Sequence, residues 1–445
     1  MKILFVSLGC DKNLVDSEVM LGVLDKKGYS FTDDETEADI VVINTCCFIN
    51  DAKEESVNTI LEMAELKKEG KIKALIVTGC LAQRYQKEIR KEIEEVDAVV
   101  GTTAIDKIAD VLEEALKGNG KEHILPLDIR PSGNRKRMVT TGGHYAYLKI
   151  AEGCDKCCTY CIIPKVRGRY RSIPMEELTA EAEKLAESGV KELILVAQET
   201  TLYGSDLYGE KKLPELLRRL CRIPGLYWIR ILYCYPEEIT QELIQVMKEE
   251  KKICHYLDLP VQHGSDRILK RMGRRTDRAE ISSIVKRLRE NIPDICLRTT
   301  LITGFPGETE EDHEELMEFV DETEFDRLGV FTYSQEEDTP AALMPEQVEE
   351  SVKEERKNEI MELQQEIAYE SAEGMTGKIL YAMIEGKVAQ EDVYVARTYK
   401  DAPNVDGYLF INTDRQLMSG DFVKVRITGS HEYDLIGEIC DEFTE

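Results

Sequence analysis

The chain has 445 residues, 42% of them apolar and 32% charged, enough to bury two or three cores rather than one. No apolar run is long enough to cross a bilayer, and the opening stretch Met1-Lys2-Ile3-Leu4-Phe5-Val6 meets Asp11 and Lys12 too soon for a signal peptide, so it reads as a buried strand in a cytoplasmic protein. A net charge of −28 would repel nucleic acid and suits a basic protein partner, or else serves solubility alone, while thirteen cysteines in a reducing compartment exclude a disulfide scaffold.

Over the first 120 residues, apolar strand patterns alternate with helical ones. Strands are expected at 2–8, 39–44, 74–78 and 98–101, and helices at 13–27, 53–68, 83–95 and 105–117. This alternation describes a parallel sheet with helices packed on it. Residues 118–142 lack periodicity and carry Gly, Pro and Asn, the composition of a linker.

A second alternating series follows, with strands expected at 145–150, 192–197, 228–233, 256–259, 297–302 and 328–333, and helices such as 174–188 and 278–291. Six β-α units suggest a partial (β/α)6 version of the parallel barrel, whose working end is the carboxyl end of its strands. A long charged helix over 345–373 leads out. From Gly377 on, short strand-like runs at 378–384, 393–398, 408–411, 422–427 and 435–439 alternate with turn residues and describe a small β-barrel. Such barrels often bind RNA, but residues 371–445 hold 7 Lys and Arg against 14 Asp and Glu, so direct RNA binding is not expected. The expected fold class is therefore α/β, with an amino-terminal domain over 1–120, a central partial barrel over 140–370 and a terminal β-barrel over 374–442.

The chemistry lies in the cysteines. Cys154, Cys158 and Cys161 follow directly on the strand at 145–150, and thiolates at i, i+4 and i+7 can wrap one iron-sulfur cube while leaving its fourth iron open. Zinc is the alternative, but Cys158-x-x-Cys161 has no second pair nearby. Cys157 falls off the spacing. Cys10, Cys46 and Cys80 each stand just past the carboxyl end of a different expected parallel strand, where open α/β sheets place ligands, so the three thiols can converge on one object; buried unliganded cysteines are the other reading. Cys47 should point elsewhere, and Cys221, Cys234, Cys254, Cys296 and Cys440 read as small core residues.

The C-x-x-x-C-x-x-C spacing, with Tyr160 before the last cysteine, resembles the radical S-adenosylmethionine superfamily. Ser7-Leu8-Gly9-Cys10, Asn44-Thr45-Cys46 and Thr78-Gly79-Cys80, followed by that motif and the terminal barrel, resemble the methylthiotransferases over nearly the whole chain. The resemblance implies two [4Fe-4S] clusters, one on Cys154, Cys158 and Cys161 and an auxiliary one on Cys10, Cys46 and Cys80. It also implies a terminal barrel of the TRAM, OB-like kind. S-adenosylmethionine would bind the open iron, yield a 5'-deoxyadenosyl radical and supply the methyl group. Tyr160, Gln198 and Glu199 are the candidate S-adenosylmethionine contacts, and no residue is assigned a catalytic role.

Runs 258–265 and 298–309 fit the same family. Gly304-Phe305-Pro306-Gly307 either brings backbone close to a ligand or is only a tight turn. His263 reads as a structural hydrogen-bonding residue, and Arg167, Arg169 and Arg171 either meet carboxylates in the site or are solvated.

Two features favour the branch that modifies an aspartate of the twelfth small-subunit ribosomal protein over the branch that modifies transfer RNA. Glu336-Glu337-Asp338 stands where the transfer-RNA enzymes carry Arg-Pro-Gly, with Asp338 in place of an expected glycine, and 402–407 resembles the terminal domain of the ribosomal-protein branch. The acidic tail agrees, since a ribosomal protein is basic. The expected reaction places a methylthio group on the β-carbon of that aspartate, in a monomer drawing electrons from a donor such as flavodoxin or ferredoxin. The rivals are a transfer-RNA adenosine methylthiotransferase and a non-catalytic electron carrier or redox sensor.

Overall fold

The structure, a computed structural model, describes residues 1–133 and 135–440. Position 134 of the expected linker and positions 441–442 of the expected terminal domain lie outside the described residues. The first sheet is wholly parallel in the order β2-β1-β3-β4-β5-β6. Its strands are β1 (Lys2–Ser7), β2 (Ser30–Thr32), β3 (Ile40–Thr45), β4 (Ala74–Gly79), β5 (Ala98–Val100) and β6 (Glu122–His123). The three strands that precede cysteines, β1, β3 and β4, are direct neighbours. β3 and β4 are buried along their whole length, so their near-continuous Val and Ile runs match a strand covered on both faces.

Several elements differ from expectation here. β2 and β6 are edge strands of three and two residues, too short for any periodicity to appear in the sequence. β6 pairs with Val99 and Val100, so the first sheet runs on into the segment expected as a linker. Farther along that segment Arg137 is held between Glu18 at 2.5 Å and Glu181 at 2.6 Å, and the Met138 N–H donates to Glu18 O. The helix expected over 83–95 is two helices, Cys80–Arg84 and Gln86–Glu92, broken at Tyr85. Arg84 and Tyr85 are drawn toward the central domain, Arg84 Nη1 to Glu336 at 2.9 Å and Tyr85 Oη to Glu337, and neither partner is near in sequence.

The second sheet is also parallel, ordered β14-β13-β12-β11-β10-β7. It comprises β7 (Tyr145–Lys149), β10 (Glu192–Val196), β11 (Trp228–Ile231), β12 (Ile253–Asp258), β13 (Cys296–Thr303) and β14 (Arg327–Thr332), while β8 (Ala151–Glu152) and β9 (Arg171–Ser172) form a small antiparallel pair. Period-2 alternation gives this open barrel two unlike faces. Ala146, Leu148, Leu193, Leu195, Ile229 and Ile231 join the aliphatic layer packed beneath the helices. Tyr145, Tyr147, Ile194, Val196 and Trp228 face the other way, and Val15 of the first helix with Met383 and Ala402 of the terminal barrel pack against them. The amino- and carboxyl-terminal domains thus both press on the concave side of the central sheet.

Helix Glu350–Glu373 buries the stripe Lys353, Arg356, Ile360, Gln364, Ala368 and Ala372, a three-to-four-residue spacing. It delivers the chain to a closed barrel, β15-β16-β17-β19-β18, built from β15 (Ile379–Lys387), β16 (Val393–Thr398), β17 (Leu409–Asn412), β18 (Phe422–His431) and β19 (Asp434–Ile439). Among the described residues no helix is long and apolar enough to cross a membrane.

Candidate functional site

Cys10 is the residue before helix Asp11–Lys26, Cys46 follows β3, and Cys80 opens helix Cys80–Arg84 directly after β4. Two glycines set these positions. Gly9 has φ +88°, and a Cβ there would stand 2.7 Å from Cys46 Cβ; Gly79 has φ +95°, and a Cβ would stand 2.4 Å from Thr45 O. Only glycine meets both demands, so the cysteine loops of β1, β3 and β4 can close on one another. Asn13 locks the loops: its Nδ2 donates to Leu8 O at 3.1 Å and Thr45 O at 3.0 Å. Burial pushes the Cys46 thiol up to about 12, with Cys80 and Cys10 adding to the rise. Burial also raises Cys80, opposed by Arg167, whose Nε donates to Cys80 Sγ at 3.2 Å. Cys47 lies in the core of the first domain, in the same apolar cluster as Cys80, and burial raises its thiol with Cys80 and Cys46 adding to the rise.

In the second group, Cys154 N–H donates to Gly168 O at 3.1 Å and Cys161 N–H to Cys158 O at 3.0 Å, winding the loop around its three thiols. Burial pushes Cys154 up to about 12 and raises Cys161, and Cys158 adds to both. Cys157 is exposed with φ +55°, turned out of the group. Lys156 fastens the loop to the turn Pro236–Glu238 that follows β11, with Nζ 3.0 Å from Glu237 and in contact with Glu238.

Among the described residues no three His, Cys, Asp or Glu side chains are gathered closely enough for a single metal ion. A four-iron cube takes each of its thiolates on a different iron, so its ligands stand wider apart than those of one ion. Burial holds the protons on Cys46, Cys80, Cys154 and Cys161, and coordination to iron would remove them, so two sets of three thiols suit such a group.

Beside the second group, Glu199 is fully buried and accepts from the Thr201 N–H at 2.9 Å through Oε1, while its Oε2 has no hydrogen-bond partner and only the distant charge of Lys156 Nζ, 3.9 Å away. Burial pushes its carboxyl up to about 7, with Thr201 and Lys156 pulling the other way. That orphaned oxygen fits the amino group of a ligand. Gln198 is different, because both ends of its amide are engaged: Oε1 accepts from the Gly153 N–H at 2.8 Å and Nε2 donates to Glu152 at 2.9 Å. Tyr160 is half-buried, edge-on to Phe305 with ring centroids 6.5 Å apart.

Of the three arginines, Arg167 is buried among carboxylates, Arg171 is buried and donates to Arg167 O at 2.8 Å, and Arg169 is exposed. His263 Nδ1 accepts from the Ser265 N–H at 2.9 Å, and its Nε2 lies 3.4 Å from Glu308. Lys149, Glu152, Asp16 and Asn13 complete the surroundings and escaped the sequence reading. The available signal was Asn13, Asp16 and Ser17 at i, i+3 and i+4, a polar stripe on a helix whose polar face turns out to be buried.

A cavity of about 360 Å³ lies where the three domains meet, lined by Ser7, Cys10, Tyr147, Tyr233, Arg298 and Asn404 among others. A larger one, about 780 Å³, opens between Arg289, Asp326 and Tyr399 and includes no cysteine.

Three family descriptions match the chain: the uncharacterized protein family UPF0004 over residues 2–101, the radical SAM superfamily over 148–320 and the TRAM domain over 376–440. The chain is 63% identical over 437 residues to the ribosomal protein uS12 methylthiotransferase RimO of Lachnoclostridium phytofermentans, covering 98% of this chain and 99% of that protein. It is 49% identical to the protein of the same name from Clostridioides difficile, over 99% of each. Among solved structures, the radical S-adenosylmethionine methyltransferase TsrM of Kitasatospora setae, with cobalamin and a [4Fe-4S] cluster bound, superposes with a TM-score of 0.56 at 13% identity. That match covers 77% of this chain and 74% of that one, a likeness of fold alone.

Proposed function

The chain belongs to the RimO family of ribosomal protein uS12 methylthiotransferases, and from that premise we infer that it places a methylthio group on the β-carbon of an aspartate of uS12. In this reading Cys154, Cys158 and Cys161 hold one [4Fe-4S] cluster, and Cys10, Cys46 and Cys80 hold a second. The observation that supports it is the pair of three-thiol groups, each past the carboxyl ends of strands in its own parallel sheet, with Cys10 lining the cavity between the domains. When bound, the clusters and S-adenosylmethionine supply an electron, a methyl group and a radical strong enough to remove hydrogen from an unactivated carbon.

The chain's own residues bind and orient. Glu199 Oε2 accepts from the amino group of S-adenosylmethionine, Tyr160 packs against the same ligand, and Gln198 acts by holding the Gly153 N–H and hence the start of the cysteine loop. Tyr147 and Tyr233 wall the cavity and keep water from the reacting carbon. A thiol nucleophile or a carboxylate pair offers no route to a C–H bond of that strength. The setting proposed is a cytoplasmic monomer that takes electrons from a flavodoxin or ferredoxin and does not bind RNA directly.

The test is to incubate the anaerobically reconstituted enzyme with S-adenosylmethionine, sulfide and reductant, offering uS12 and transfer RNA in parallel and reading both by mass spectrometry. A methylthio gain on one aspartate peptide is the expected result. Gain on a nucleoside alone moves the activity to transfer RNA, and the absence of both products and of 5'-deoxyadenosine leaves a redox carrier.

A further inference from the structure

Arg167 stands between the two cysteine groups, and its guanidinium is almost wholly used. Nε donates to Cys80 Sγ at 3.2 Å, Nη2 to Asn13 Oδ1, and Nη1 to Asp16 Oδ2 at 2.7 Å and Glu152 Oε2 at 3.1 Å. Lys149 Nζ lies against the same two carboxylates, in contact with Asp16 and 2.7 Å from Glu152. Glu152 passes the contact on, its Oε1 accepting from Gln198 Nε2, and Gln198 Oε1 accepts from the N–H of Gly153, the residue before Cys154. An unbroken hydrogen-bonded chain therefore joins Cys80 of the first domain to the peptide that opens the Cys154 loop of the second.

The charges of this chain balance. Two cations, Arg167 and Lys149, meet two anions, Asp16 and Glu152, all buried, and a buried pair of that kind is held by complete hydrogen bonding rather than by net gain over an apolar core. One contact is surplus to an interdomain tie, the one from Nε to sulfur. A ligand sulfur that accepts a hydrogen bond from a cation has its negative charge stabilised, and hydrogen bonds to cluster sulfurs are one of the terms that set reduction potential.

We propose that Arg167 is a positioning residue that fixes the auxiliary cluster against the S-adenosylmethionine-binding loop and raises its reduction potential. This rests on the reading of Cys10, Cys46 and Cys80 as cluster ligands. The fork of the guanidinium is essential to it, since lysine has one point of charge and cannot reach sulfur, amide and two carboxylates together.

The test uses the reconstituted full-length enzyme and its variants Arg167→Gln, Arg167→Lys, Glu152→Gln and Cys80→Ala, with iron content, redox-poised electron paramagnetic resonance and thermal unfolding as readouts. Cys80→Ala should lose about half of the bound iron, the share of one cluster of two. Arg167→Gln should shift the auxiliary signal to a more negative potential and weaken retention of that cluster against a chelator roughly tenfold, with the Cys154-loop signal kept. Arg167→Lys should fall between, and Glu152→Gln should disturb both signals. An auxiliary potential unchanged in Arg167→Gln overturns the proposal while leaving the ligand reading intact if Cys80→Ala still loses iron. Full iron in Cys80→Ala overturns both. Should Arg167→Gln fail to fold, the potential of Arg167→Lys decides, and no shift there overturns the proposal.

Discussion

At Glu199, burial pushes the carboxyl up to about 7, against Thr201 and Lys156 and with Glu238 and Glu237 adding, and its Oε2 has no hydrogen-bond partner. A ligand cation there needs the ionised form, so the affinity for S-adenosylmethionine should weaken as pH falls below about 7 and level off above it. Isothermal titration of the reconstituted enzyme across that range measures this, and Glu199→Gln should abolish the slope and weaken binding roughly tenfold or more, the worth of one hydrogen bond to a charged group. Gly79 is a second position where one atom decides the outcome. Gly79→Ala sets a Cβ 2.4 Å from the Thr45 carbonyl at a left-handed φ, a strain of about 1–3 kcal/mol from the backbone alone. The loss should appear as a lower melting temperature together with reduced iron on the amino-terminal cysteines.

Among the elements, β10, β11 and β16 share one buried carboxylate. Glu192 Oε1 accepts from Arg230 Nε and Oε2 from Arg397 Nη2, each at 2.7 Å, with Arg397 reaching in from the terminal barrel. Burial alone would raise the Glu192 carboxyl, but Arg397 and Arg230 overcome it and hold it below its usual range. Glu192→Ala leaves two guanidiniums buried without their partner and should cost about 3–5 kcal/mol in denaturant unfolding. The sign with pH follows from the lowered value. The folded state keeps Glu192 ionised, so the advantage over Glu192→Gln is complete above about pH 4.3, where the unfolded carboxyl ionises, and is lost as pH falls toward the folded value. The same elements show the reach of periodicity. Tyr145, Tyr147, Ile194 and Val196 alternate with Ala146, Leu148, Leu193 and Leu195, which made β7 and β10 legible, whereas β2 and β6 are shorter than any period. The break at Tyr85 was hidden for another reason: its causes, Glu336 and Glu337, stand some 250 residues away.

For the molecule as a whole, a net charge of −28 faces a substrate that is a basic protein. Encounter between them should be steered electrostatically, so KM for uS12 should rise severalfold between about 0.05 and 0.3 M salt while kcat changes little. A KM indifferent to salt would mean that the acid excess serves solubility only. Glu336 qualifies the sequence argument for the substrate class. It is buried, 2.9 Å from Arg84 and 3.0 Å from Lys53, so it joins the central domain to the first and is not presented to a substrate.

The α/β class, the six-strand central sheet and the terminal barrel were legible from residues close together in the chain, and the family from short motifs set in order along nearly all of it. Strand alternation, turn residues and the spacing of Cys154, Cys158 and Cys161 are short-range patterns, and their physics is complete within ten residues or so. The network around Arg167 is of another kind. Asn13, Asp16, Cys80, Lys149, Glu152 and Gln198 become neighbours only when helix Asp11–Lys26 packs against the concave side of the second sheet, and the engagement of Gln198 with Gly153 and Glu152 follows from that packing. Charges buried together must be paired in three dimensions, and which charges those are is decided by how the domains close, information that no local spacing carries.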